Sequence, residues 1–194
     1  MCSLPRCEWS SLNIPLYREY HDKEWGVPVH DDVKLFEFLA LEGFQAGLSW
    51  YIVLKRRENF RTAFDGFNPE VVSNYDSKKV WKLLSDPGII RNGPKIKATI
   101  NNARQFLKVQ REFGSFDKYI WGFTNYRTVH NSWRTVKEIP ATSPISDKIS
   151  KDLLSRGFRF VGSKICYAHM QATGMVNDHI VTCFRYSELK RTSV

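Results

Sequence analysis

At 194 residues, with 42% hydrophobic and 25% charged residues, the chain has an ordinary globular composition and is long enough to bury a real core as one domain, 1–194. No apolar run approaches the ~20 residues of a membrane span and the N-terminus lacks a signal-peptide pattern, so a cytoplasmic protein with no membrane association is expected. Lysine and arginine number 29 against 20 acids, and the resulting charge of +9, with 14% aromatic residues, suits a polyanionic partner.

Helical periodicity dominates the chain, and an all-α fold is expected. Asp31 and Asp32 are N-cap candidates for a helix through Leu41, with Val33, Leu35, Phe36, Phe38 and Leu39 as its apolar stripe. Leu48 to about Phe64 reads as a second helix. Asn68-Pro69 opens a short one, a cap followed by proline at the first helical position. Ser77 caps Lys78 to Leu84, and Pro94 opens a longer helix to about Phe113, closed by Gly114. Asp147 to Arg156 ends at Gly157, Lys164 to Thr173 ends at Gly174, and Asp178 caps a last helix starting at His179. Strand character is confined to Phe158–Val161 and Tyr126–Val129, and 122–143 reads as a long surface loop containing His130, Trp133 and Arg134.

Three constellations carry chemistry. Leu41 to Trp50 sets Glu42 and Gln45 among apolar and aromatic side chains, with Gly43 and Gly47 allowing close backbone approach. A buried carboxylate needs a donor or a positive charge, which a flat cationic ligand stacked on Trp50 would supply. The plainer alternative is a solvated or capping Glu at a helix end, with Trp50 as core. Second, Asp86 to Ile96 reads as a helical hairpin whose turn holds Gly88, Ile89, Ile90 and Gly93. Such a turn, about 78–110 with its helices, can offer backbone N–H groups to a phosphate, with Arg91, Lys95 and Lys97 adding charge. An ordinary turn between packed helices would look similar. Third, Cys7 and His21 near one end (about 1–25) and His179 and Cys183 near the other (about 175–190) could close a Cys₂His₂ zinc site stapling the termini. The Cys7–His21 spacing is not that of a zinc finger. Cys2 reads as a free thiol and Cys166 as a buried apolar residue, with disulfides disfavoured in a chain that has no export signal. No phosphate-binding glycine loop, serine nucleophile elbow or zinc-protease helix is present.

Several blocks occur together in one order. They are Arg6-Cys7-x-Trp9, Tyr20-His21-Asp22-x-Glu24-Trp25-Gly26-Val27-Pro28, Leu41 to Trp50, Leu54-Lys55-x-Arg57-Glu58-Asn59, Gly88 to Arg91, and Phe160-Val161-Gly162 through His179. Over nearly its whole length the chain thus resembles the bacterial 3-methyladenine DNA glycosylase I family of the helix-hairpin-helix superfamily. The resemblance implies excision of 3-methyladenine from double-stranded alkylated DNA by a monomer, with free 3-methyladenine as product. It implies one structural zinc on Cys7, His21, His179 and Cys183, and a base pocket of Glu42, Tyr17, Tyr20, Gln45 and Trp50. It also implies a Gly47-Leu48 turn lying against the gap left by the extracted nucleotide, and a family without the catalytic Asp of its superfamily relatives. Departures are Ser163-Lys164, where members commonly carry two threonines, and Phe44, where some carry glutamine; Lys164 at a helix start could meet phosphate. The competing expectations are a glycosylase for another alkylated purine and a non-catalytic lesion-binding protein.

Overall fold

The computed structural model describes residues 4–10 and 14–192; the Cys2 expectation lies outside them. Helix α1, Pro15–Lys23, opens with proline in its first turn. Helix α2, Asp32–Gln45, is capped by Asp31, whose carboxylate accepts the Lys34 N–H, and runs a turn beyond Leu41 so that Glu42 is helical. Its side chains are buried on nearly every face, which makes it the central helix of the domain.

The stretch expected as one helix from Leu48 to Phe64 is two, α3 (Trp50–Leu54) and α4 (Arg57–Ala63), broken at Lys55-Arg56. Propensity gives no stop there, and tertiary packing decides it. Arg57 is buried across the face of Phe38, donating to Glu37 at 2.6 Å and to Glu24 at 2.6 Å, so it ties α4 to α2 and to the end of α1. Helix α5, Pro69–Ser73, has the expected Asn68 cap. Helix α6, Ser77–Ser85, is capped by Asp76 rather than Ser77, because the aspartate reaches the Lys79 N–H and leaves Ser77 as the first helical residue. Helix α7, Gly93–Phe113, is capped by Asn92 and ends at Gly114, whose φ of 87° suits glycine. Helix α8 spans Phe116–Gly122.

The expectation of an all-α chain needs one amendment. Strands β1, Val129–His130, and β2, Val176–Asn177, pair in parallel, Val129 opposite Val176 and His130 opposite Asn177. The Phe158–Val161 segment is a bend in irregular backbone instead of a strand, with Phe160 at φ 56°. Between the strands lie α9, Pro144–Ser155, started early by a Ser143–Ser146 capping box, and α10, Ser163–Ala172. The last helix, α11, is Phe184–Thr192 and does not begin at His179. Asp178 is no cap: its carboxylate is turned inward onto four side-chain donors, so His179 to Cys183 forms a compact turn.

Helix α7 packs on α5 and α8, and α10 on α9 and α2. Two apolar clusters result. The larger gathers Phe36, Phe44, Phe60, Phe106, Phe116 and Phe158. The smaller joins Cys7, Tyr20, Trp25 and Phe38 to Ile180 and Cys183, so the two chain ends share one core.

Candidate active site and metal centre

A cavity of about 540 Å³ opens beside the smaller core. On one side stands Glu42, in the last turn of α2, 4% exposed and with no hydrogen-bond partner among the described residues. Burial alone pushes its carboxyl up to about 8. Around it α1 contributes Tyr17 and Tyr20, and α3 contributes Trp50, whose ring lies 5.6 Å from that of Tyr20. Burial, and then the charge of Glu42, holds the Tyr20 hydroxyl well above its usual range. The Trp50 indole N–H is buried without a partner. Gln45 also lines the cavity and donates to the Leu48 carbonyl at 3.1 Å, bracing the turn that follows α2. In that turn Gly47 has φ 80° and Leu48 is exposed. The five residues expected at a base pocket therefore line one cavity, and the solvated-Glu alternative is excluded by burial.

Apart from Lys164, expected at a phosphate, the rest of the cavity lining has no counterpart in the sequence reading. Trp9 and Trp25 close the α1 side, 5.1 Å apart and edge to face. Helix α10 adds Lys164, Tyr167, Ala168 and Gln171, a spacing of three, four and seven residues that marks one helical face and is readable from sequence. The loop expected only to pack on the surface supplies Val136, Ile139 and Pro140 to the wall.

The α6–α7 turn is built as the sequence suggests. Ile89 is buried as its anchor, Asp86 accepts the Gly88 N–H at 2.7 Å, and Asn59 donates to the Gly88 carbonyl at 3.2 Å. A Cβ on Gly88 would stand 3.0 Å from the Asp86 carboxylate and 3.1 Å from the Asn59 amide, so any larger residue must push those two side chains aside by a few tenths of an ångström. Gly93 begins α7, and Arg91 and Lys97 are exposed. Lys95 departs from expectation. It is buried, and its ammonium donates to the carbonyls of Phe44 (2.8 Å) and Ala46 (2.6 Å), so it caps the C-terminus of α2 instead of facing outward to a phosphate. Lys95→Met is expected to cost about 2–3 kcal/mol, and a Tm fall of roughly 6–9 °C in a thermal melt checks it. An unchanged melt would refute the capping role.

On the far side of Trp9 and Trp25, Cys7, His21, His179 and Cys183 are all buried, with their ligand atoms within 4.8 Å of one another. His21 Nδ1 is held by Asp22 at 2.8 Å, and Asp22 in turn by Arg6. His179 Nε2 meets the Trp25 carbonyl at 3.0 Å. Those outer bonds leave His21 Nε2 and His179 Nδ1 facing the two sulfurs, at 3.5–3.6 Å. Hydrogen bonding from Cys7, and then from His179 and His21, holds the Cys183 thiol far below its ordinary range. The group is a candidate metal centre.

A family model described as methyladenine glycosylase matches residues 9–186. DNA-3-methyladenine glycosylase 1 of Escherichia coli (strain K12) is 48% identical over 183 residues, covering 94% of this chain and 97% of that protein. A crystal structure of a 3-methyladenine DNA glycosylase I matches with a TM-score of 0.90 at 47% identity, over 93% of this chain and 98% of the other. The Staphylococcus aureus 3-methyladenine DNA glycosylase I, solved for the structural basis of 3-methyladenine recognition, matches with a TM-score of 0.90 at 31% identity, over 94% and 97%. The chain belongs to the methyladenine glycosylase family.

Proposed function

We infer that this chain acts as a monomer in base-excision repair, hydrolysing the N-glycosidic bond of 3-methyladenine in double-stranded DNA. The observation that carries the reading is Glu42, an unpartnered buried carboxylate in an aromatic cavity. Methylation at N3 gives adenine a fixed positive charge. The everted base would stack on Trp50 and Tyr20, worth ~1–2 kcal/mol of cation–π attraction in a desolvated pocket, with Glu42 accepting from its edge. As the C1′–N9 bond breaks, its electron pair neutralises the base and the positive charge passes to the sugar. Water then adds at C1′ and gives up a proton. No residue is assigned as general base.

The α6–α7 turn would hold a phosphate on the N–H groups beside Gly88 and Gly93, with Arg91 nearby, in the manner of a helix-hairpin-helix element. Gly47 and Leu48 would lie against the vacated stack, and Lys164, exposed on the cavity rim, would meet the backbone. For the metal centre we propose zinc. A tetrahedral zinc with bonds of about 2.3 Å to sulfur and 2.0–2.1 Å to nitrogen separates those atoms by about 3.6 Å, close to the 3.5–3.6 Å between Cys7 and His179, Cys183 and His21, and Cys183 and His179. Four protein ligands leave no open position, so the metal would be structural.

Incubating the protein with methylated duplex DNA and resolving the released bases by chromatography tests the function. Free 3-methyladenine is expected as the main product. Release of 7-methylguanine in its place would reassign the substrate, and release of no base would leave a lesion-binding protein.

A further inference from the structure

Asp178 lies behind the cavity wall and has no part in the mechanism above. It is 1% exposed, and no cation is among its hydrogen-bond partners. One carboxylate oxygen accepts from Asn131 Nδ2 and Trp133 Nε1, both at 2.7 Å. The other accepts from Tyr167 Oη at 2.7 Å and Gln171 Nε2 at 2.8 Å. A carboxylate has about four lone-pair sites, and here each meets a donor.

The consequence falls on Tyr167 and Gln171, the two partners that also line the cavity. A phenol has one proton, and Tyr167 gives it to Asp178. Burial, followed by that hydrogen bond, raises the Tyr167 hydroxyl above its usual range, so the proton stays in place. A carboxylate cannot donate to an amide oxygen, so the Gln171 amide is fixed with nitrogen toward Asp178. Its Oε1 has no hydrogen-bond partner among the described residues. Other elements bring donors to the cavity, Trp50 Nε1 among them, but the groups the α10 wall leaves to a base are thus two acceptors, the Tyr167 oxygen lone pair and Gln171 Oε1, with Glu42 lining the same cavity. We propose that Asp178 is a specificity-determining positioning residue: by fixing the hydrogen-bond direction of Tyr167 and Gln171 it gives the cavity an acceptor-rich wall that selects a purine edge bearing N–H donors over one bearing a carbonyl. The same carboxylate holds Trp133, and through it the 131–141 segment whose Val136, Ile139 and Pro140 complete the wall.

The inference rests on the glycosylase reading, and its test separates the two. Methylated duplex DNA contains 3-methyladenine, with an amine at the six-position of the purine, and 3-methylguanine, with a carbonyl there. The ratio of their release rates is measured for the parent, Asp178→Asn and Gln171→Met, with metal content checked in each. In Asp178→Asn the amide donates as well as accepts, which frees Tyr167 and Gln171 to turn a donor inward, and the ratio is expected to fall about tenfold. Gln171→Met removes one acceptor and, with it, one of the four donors on Asp178 while leaving the carboxylate and its bond from Tyr167 in place; it is expected to lower the ratio several-fold, and carries the test should Asp178→Asn fail to fold. A purely structural role would slow both bases alike. A parent that releases 3-methyladenine while the folded variants keep its ratio overturns the inference and leaves the function standing. A parent that releases no base overturns both.

Discussion

Replacing Glu42 by glutamine is expected to lower kcat/KM for 3-methyladenine release by about 10²–10³-fold, the usual loss when a preorganised electrostatic partner is removed from a dry site. The amide keeps the shape and one acceptor, so the loss reports the charge. Because burial holds this carboxyl at about 8, the free protein is mostly neutral there at pH 7, and a fixed cation binds the ionised form. Below pH 8 each binding event must expel a proton, so the parent's kcat/KM should rise about tenfold per pH unit toward pH 8 and then level, while Glu42→Gln is flat. Stability moves in the opposite sense. The folded pKa lies above that of the unfolded chain, so the penalty is absent below the ordinary carboxyl range, grows from about pH 4.5 and is complete above pH 8. There it reaches roughly 4–5 kcal/mol. The Tm of Glu42→Gln should therefore gain on the parent as pH rises. Equal rates for the two proteins, or a parent profile with no rise toward pH 8, would remove Glu42 from the chemistry.

What was legible in the sequence follows the range of the interaction that decides it. Asn68, Asp31 and Gly114 act on backbone within one turn of themselves, and each stands where a local reading puts it. Glu42 and Trp50 stand out because a charge inside an apolar block is conspicuous, whereas Tyr17 and Tyr20 carry no such mark and enter only through the family resemblance, which also supplies the roles. The failures involve partners far along the chain. Lys95 beside a basic turn looks like a phosphate contact, yet its ammonium meets carbonyls about fifty residues away. Asp178 before His179 looks like a helix cap, yet its donors come from α10 and the 131–133 segment, and satisfying them draws the backbone out of helical register. Trp133 and Gln171 carry no local mark of that carboxylate. A buried polar group overrides propensity because leaving it unsatisfied costs more than a few residues of helix.

Stripping the metal centre, by a strong chelator or by Cys183→Ser, is expected to lower the stability by at least about 3 kcal/mol, a Tm fall of roughly 10 °C in a domain of this size. The ligands come from the two chain ends, and the residues between and beside them form the cavity's α1 wall: Trp9 follows Cys7 by two positions, Tyr17 and Tyr20 share α1 with His21, and Trp25 hands its carbonyl to His179. Without the proposed ion two sulfurs and two imidazoles would be buried against one another, and the least costly relief would be for the N-terminal segment to detach. That detachment would open the aromatic side of the cavity while the α6–α7 turn, anchored by Ile89 in the other core, stays folded. Quenching of tryptophan fluorescence by free 3-methyladenine should therefore disappear in metal-free protein, while affinity for undamaged duplex falls by less than threefold. Limited proteolysis should cut the N-terminal segment first. A chelated protein with unchanged melting and quenching, or elemental analysis finding no stoichiometric metal in the native protein, would show that the four ligands hold the termini by packing alone.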